Sequence, residues 1–507
     1  MAIYTCEFDV ADTKTVKRFS VEVPEGIQEI LIKGDFDPRV ETDDAKNREL
    51  IMPALRRYGA GDPEFDRLTP AEKSRYQEAH YRLVGTVRNL INYTLIDPSG
   101  RHRARGNNRF FETIQLSKTI SSLGCIPGPL EPGKWELVVE AHAVVTGKLV
   151  VDIEILMNDS VTPGIPATGL RLQEEGDYES FRLPSVKPQG PGWYGGDFHL
   201  HTHHSDGSHS MAEIMEAQHE RGYDFLVLTD HNTTLGWREE YNDHMLVIPG
   251  LEITTFYGHA VVVNRVGEID WFDFDQSTTF DELAAELRTK GSMLSIAHPY
   301  CIGDPVCTGC SWEYPNLNWN AADMIEVWAG SWHQRRSENR KALAKWEQLL
   351  NKGHRLVPVG GTDIHRIEPD PGDCGKTYVY AESYTIEGIM EGLRKGHVFV
   401  SQGPLIECYG ENEDGKRYGI GEDLFTNVGE NIAFKGRIKG LDRPCELELV
   451  KKGEVIRQIA VGAGDTEFAW AEVVDGDAWY YFRVYDTRRR LMALTNAIFL
   501  NCQPPSM

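Results

Sequence analysis

Apolar and polar residues alternate with a period of two through the first third of the chain. The segments Phe19–Val23, Glu29–Lys33, Leu90–Ile96, Trp135–Glu140 and Leu149–Ile155 carry this pattern. Successive side chains of an extended segment point to opposite faces, so each segment can bury one face and wet the other. Asp97-Pro98-Ser99-Gly100 and Glu131-Pro132-Gly133-Lys134 supply turn chemistry between them. The set predicts a β-sandwich over residues 1–185. A polar, helix-prone insertion from Thr42 to Tyr81 interrupts it.

After the Pro- and Gly-rich run Leu183–Trp193, which reads as a linker, the pattern changes. Short apolar runs at Phe225–Leu228, Val247–Ile248, Ala260–Val263, Met293–Ala297 and Leu356–Val359 read as buried strands. Between and beyond them lie the helix-like segments Met211–Arg221, Phe280–Lys290, Glu338–Asn351 and Ile386–Lys395. Gly222, Gly291, Gly353 and Gly396 follow them, where helix C-caps favour glycine. This rhythm predicts βα units over residues 194–402, with a parallel sheet closed or nearly closed as a barrel. Alternation returns in Ile432–Gly436, Cys445–Val450 and Trp479–Val484, predicting a second β-sandwich over 403–507. The expected class is therefore α/β, a barrel flanked by two sandwiches.

The apolar runs of the central part end in polar residues able to bind metal. His199 and His201 flank Leu200, so both can face one cation while Leu200 packs on the other side. Asp206 sits on the turn that follows. Further on come Asp230-His231, Glu252, His259, His298 and Asp363-Ile364-His365. Of 17 histidines, 13 fall between His199 and His365, about a third of the length, roughly twice what an even spread would place there. Imidazole mixed with carboxylate suits Mn, Fe or Zn without choosing among them. Two such cations held close together would activate a water between them.

The order His-x-His, Asp-Gly, Asp-His, Glu, His, His-Pro, Asp-x-His resembles the PHP family, named for polymerase and histidinol phosphatase. Within it the chain looks most like free-standing metal-dependent hydrolases near the carbaryl-hydrolase branch. The resemblance covers about Asp197 to Pro404. It implies a distorted (β/α)7 barrel holding two or three divalent ions, with a water or hydroxide as nucleophile. It further implies that His199, His201 and Asp363 bind a first metal, that Glu252 bridges to a second held by His259 and His298, and that Asp206, His231 and His365 form a third site. Glu252, Asp206 and His365 are then the expected catalytic residues. Asp206 followed by Gly207 departs from the histidinol-phosphatase branch, some of whose members have histidine one residue later, and this puts third-site occupancy in question.

Arg366, Arg335 and Arg336 are candidates for holding a substrate anion. Asp230 is expected to orient a neighbouring ligand. His203, His204 and His209 stand either at the mouth of the site or in solvent, and the loop Tyr300–Trp319 is expected to roof it. Cys301, Cys307 and Cys310 could hold a structural zinc with Cys374, but free thiols are the favoured reading.

A formal net charge of −24 disfavours nucleic acid, beyond short oligonucleotides, and anionic membrane as partners. The N-terminus has no basic region followed by an apolar one, and the nine cysteines form no paired framework, so a soluble, cytoplasmic chain with reduced thiols is expected. The favoured function is hydrolysis of a small-molecule phosphate ester. Hydrolysis of an aryl carbamate or carboxylic ester is the main alternative. A carbohydrate- or surface-binding protein with an inactive barrel is a second, which the intact ligand set disfavours. No lysine ends the quoted strands, which argues against an amidohydrolase with a carboxylated lysine.

Overall fold

The computed structural model describes residues 2–106, 113–162, 189–238 and 245–502. Residues 183–188 of the expected linker lie outside the described residues.

Two antiparallel sheets of four strands make the N-terminal part. One is ordered Ala2–Phe8, Leu149–Asn158, Glu29–Asp37, Ile114–Ser117, and the other Thr15–Val23, Gly133–Ala143, Leu90–Ile96, His102–Arg105. Every second residue of Leu149–Asn158 turns inward, so Leu149, Val151, Ile153 and Ile155 are buried against Trp135, Leu137 and Val139 of the other sheet. The two sheets thus pack face to face around one apolar cluster. The outer face of the second sheet is covered as well, because Ile96 and Val138 join the apolar core of the central part. His142 packs edge-on against Phe256 there, with ring centroids 4.8 Å apart.

The insertion folds as helices Asp44–Gly59, Pro63–Arg67 and Pro70–Val84. Each start is capped as its sequence allows, by Asp43, Asp62 and the reciprocal Thr69–Glu72 pair. Ile51, Leu55 and Tyr81 pack with Ile302 and Val306 of the loop Tyr300–Trp319, so the insertion rests on the segment expected to roof the site.

The central strands fall into two sheets. Gly250–Thr254, His259–Val263, Met293–Ile296, Met324–Ala329 and Val357–Gly361 form one. The other begins Leu246–Ile248, Phe225–Val227, Gly192–Asp197, Lys376–Ala381, Val398–Ser401 and continues into the C-terminal part. The hydrogen-bonded ladder therefore does not run continuously round a parallel barrel. Isolated parallel bridges, Leu200 to Ile364 and His231 to Glu252, join the sheets at their two seams.

Strand direction also departs from the parallel expectation, for a reason of chain length. The connection Thr255–Gly258 is too short for a crossover helix, so Gly250–Thr254 and His259–Val263 pair antiparallel. Lys376–Ala381 likewise enters from the end at which Val357–Gly361 leaves, and runs antiparallel to Gly192–Asp197. The four expected helices are present as Met211–Glu220, Asp281–Thr289, Arg336–Asn351 and Ile386–Arg394. Glycines 222, 291, 353 and 396 that follow them all take positive φ, as the cap requires.

Val398–Ser401 pairs directly with Leu491–Thr495, so one sheet passes from the central part into the C-terminal one. The strands Arg417–Gly419, Leu405–Glu411, Asn431–Leu441 and Gly464–Val473 form the facing layer. Phe434, Ile438, Leu447, Tyr480 and Phe482 fill the space between. Among the described residues, no helix is long and apolar enough to cross a membrane.

Candidate metal centre

The local fold past Gly192–Asp197 follows from buried carboxylates on either side of the histidines. Asp197 accepts from His199 N at 3.2 Å, Thr362 N at 2.8 Å, Thr362 Oγ1 at 2.6 Å and Gln218 Nε2 at 2.6 Å. Burial pushes its carboxyl up to about 6 in spite of these bonds. Asp230 accepts from Thr202 N at 2.8 Å, Thr202 Oγ1 at 2.6 Å and Ser205 Oγ at 2.5 Å. It fixes the turn that leads to Asp206. Leu200 is fully buried between the anchors, and alternation sends His199 and His201 to the opposite side.

All nine candidate ligands stand in groups whose donor atoms lie within 4.8 Å of one another. His199, His201 and Asp363 form one group. Glu252 belongs to two, with His199 and His298 and with His231 and His259. The fourth contains His201, Asp206, His231 and His365. Glu252 lies at the junction: its Oε1 is 3.3 Å from His199 Nε2, 3.1 Å from His298 Nε2 and 3.1 Å from His259 Nδ1, and its Oε2 is 2.8 Å from His231 Nδ1. Asp206 Oδ1 is 3.4 Å from His231 Nε2 and 3.3 Å from His365 Nε2. The grouping is tighter than a division into three separate triads, since His199, His201, His231 and Glu252 each belong to two groups, and the His201 ring stacks 4.3 Å from His231 and lies tilted 4.2 Å from His365.

The charge balance asks for a cation. Burial disfavours the charged form of His199, yet Glu252, Glu326 and Asp363 overcome it and hold the imidazole well above its usual range. Burial is likewise outweighed at His365, which Asp206 lifts to about 9. Burial wins at His201 and His259, both pushed down to about 4. Glu252, Asp206 and Asp363 stay well below the usual carboxylate range although burial opposes it. His199 Nε2, both nitrogens of His201 and His259 Nε2 are buried and make no hydrogen bond. Buried nitrogens without partners beside ionised carboxylates are costly as they stand and suit a divalent ion.

The loop Tyr300–Trp319 does cover this centre. Cys310 O lies 3.1 Å from His298 Nδ1, and a Cβ on Gly309 would come within 3.0 Å of His259 Nε2. The loop cysteines differ from the expected free thiols: Cys307 and Cys310 are disulfide-bonded, while Cys301 and Cys374 are free. No cysteine joins a metal-binding group among the described residues. His204 is buried, and Gly124 N of the N-terminal sandwich donates to its Nδ1 at 3.2 Å. That histidine therefore contacts the N-terminal part of the chain and not solvent.

A pocket of about 310 Å³ opens beside Asp363 and His365, with Arg221, Arg335 and Arg366 in its wall. The three candidate arginines stand differently. Arg335 donates from Nη1 to Asp363 Oδ2 at 2.9 Å and so holds a candidate ligand in place. Arg366 is exposed on the pocket wall. Arg336 is turned away, donating to Glu64 of the insertion at 2.9 Å, and it lines another cleft.

Sequence reasoning missed Glu326. It is 3% exposed within Met324–Ala329, accepts from His298 N at 2.7 Å, and reaches His199 Nδ1 at 3.4 Å. A carboxylate inside an otherwise apolar strand was the available signal.

Gly207 explains why Asp206 can reach the cluster. A Cβ at this position would meet His201 O at 2.3 Å and Thr202 O at 2.7 Å, so the turn closes only over glycine. Gly207→Ala is expected to displace Asp206 and lower metal stoichiometry by the share bound at Asp206, His231 and His365. Elemental analysis at fixed free metal checks this, and unchanged stoichiometry would count against it.

Comparison with known proteins gives structural likenesses only. No family model matches the chain, and no curated protein matches it. Among solved structures it is similar to a two-domain protein from Bacteroides vulgatus containing a predicted PHP-like metal-dependent phosphoesterase. Identity is 18%, coverage 62% of this chain and 98% of that one, and the TM-score 0.34. It is also similar to an amidohydrolase from Chromobacterium violaceum, with 16% identity, 34% and 89% coverage, and a TM-score of 0.26.

Proposed function

We propose that this chain is a PHP-type metal-dependent hydrolase that cleaves phosphate esters of small molecules. The observation that carries the reading is the convergence of all nine ordered ligand candidates on one set of overlapping groups, in which His199 Nε2, both nitrogens of His201 and His259 Nε2 are buried without a hydrogen bond. The two central sheets are read as halves of a distorted (β/α)7 barrel, supported by the parallel bridges at both seams.

His199, His201 and Asp363 would hold one divalent ion, Glu252 with His298 and His259 a second, and Asp206, His231 and His365 a third. Such ions supply Lewis acidity and an activated water. Glu252, with one oxygen toward His298 and His259 and the other toward His231, would set the spacing between donor groups. Arg335 would keep Asp363 in one orientation, and Arg366 would bind the non-bridging oxygens of the ester. The arginines in the pocket wall favour phosphate over an uncharged aryl carbamate, for which an apolar pocket would suffice.

The test is a comparison of phosphate monoesters, phosphate diesters and aryl carbamates, with the protein loaded in turn with Mn, Fe or Zn. The expected result is monoester hydrolysis that chelation abolishes and metal restores. Faster carbamate turnover with every metal would replace phosphate as the substrate class, and failure to bind any of the three metals would overturn the reading altogether.

A further inference from the structure

A second cleft, of about 320 Å³, lies between the helical insertion and the start of helix Arg336–Asn351. Its aromatic wall comes from the insertion. Tyr76 and His80 have ring centroids 4.0 Å apart, His80 lies 6.0 Å from Tyr58, and Phe65 meets Tyr76 edge-on at 5.1 Å. Its polar wall is the first turn of the helix. Arg335, at the N-cap position, makes no side-chain cap bond, so the leading N–H groups of the turn lack side-chain acceptors.

Two further groups in that wall are unsatisfied. Ser337 is 5% exposed and its Oγ makes no hydrogen bond, with the Tyr76 hydroxyl as a neighbouring polar group. Arg336 Nε is buried and also without a partner. Native proteins rarely leave such groups unpaired. The nearby acids reach neither atom: Asp62 is held by Arg340 at 2.6 Å, and Glu64 by Arg336 Nη2 at 2.9 Å and Arg340 at 2.7 Å.

We propose that this cleft is a binding site for a small aromatic anion. The ring would stack among Tyr76, His80 and Phe65. The anionic group would accept from the helix N–H groups, Ser337 Oγ and Arg336 Nε, where the positive end of the helix dipole favours it. Gln334 lines both this cleft and the pocket beside Asp363, so the two cavities share a wall. The site requires no metal and stands independently of the proposed hydrolysis.

Phenylphosphonate is the probe, titrated into the chelated full-length chain and followed by saturation-transfer NMR on the ring protons. Saturable binding is expected, with methylphosphonate and benzyl alcohol each at least about tenfold weaker because each lacks one of the two recognised features. Ser337→Ala removes only the unpartnered hydroxyl, and His80→Ala removes a partly exposed ring. Each is expected to weaken phenylphosphonate at least about threefold, the size of a modest hydrogen bond or ring contact. Absence of saturable binding overturns the proposal. So does binding that appears only after metal is added, or that survives both substitutions unchanged.

Discussion

Glu252→Gln is expected to abolish stable metal loading and to lower hydrolysis by about a hundredfold or more, the scale of losing a metal-activated or oxyanion-stabilising contribution. The substitution keeps the shape of the side chain and removes its charge. Glu252 is fully buried and stands within 3.3 Å of His199, His298, His259 and His231, so no other carboxylate can take over its place between the donor groups. Removing the charge also withdraws part of what holds His199 and His231 well above the usual imidazole range against the pull of burial. The chelated variant should therefore bind fewer protons at neutral pH than the chelated parent, and release fewer when metal is added. Metal content, turnover and proton release measured on the same preparation check this. Turnover close to the parent at full metal occupancy would rule out a central role for Glu252.

Much of this centre is legible in the residue order, because a histidine or carboxylate at the end of an apolar run has few places to go except the rim of a sheet. Sharing is not legible. That His201 belongs to two groups depends on its ring contacts with His231 and His365, made by segments far apart in the chain. The arginines show a different limit. Arg335 and Arg336 are adjacent, but one residue is about 100° of rotation near a helix start, and that separates a partner of Asp363 from a partner of Glu64. Apolar runs reveal buried strands without revealing direction, and here short connections such as Thr255–Gly258 decide it. The pairing of Cys307 with Cys310 runs against the expected reduced thiols, because scattered cysteines do not show which two a loop brings together.

Glu326→Gln is expected to weaken metal binding about tenfold to a hundredfold, the usual cost of losing a group that orients a metal ligand. Glu326 accepts from His298 N at 2.7 Å and reaches His199 Nδ1 at 3.4 Å, so it favours the tautomer that leaves His199 Nε2 free toward Glu252 and Asp363. A glutamine of the same shape can offer its NH₂ group to His199, in which case the ring is no longer held as a donor at Nδ1. Glu326 Oε1 is buried without a hydrogen bond, so the substitution breaks no bond at that oxygen and takes a buried charge out of the apolar interior. Loss of metal affinity should therefore come without loss of stability in chelator. The midpoint of thermal unfolding of the chelated variant is expected within about 1 °C of the parent, a shift of about 1 kcal/mol or less in a chain this long, while the stabilisation gained on adding metal shrinks. Titrations with a metal indicator, paired with unfolding scans in chelator and in metal, separate the two effects. If the chelated variant unfolds far earlier than the parent, Glu326 is a support of the fold, and if metal affinity is unchanged, it does not position His199.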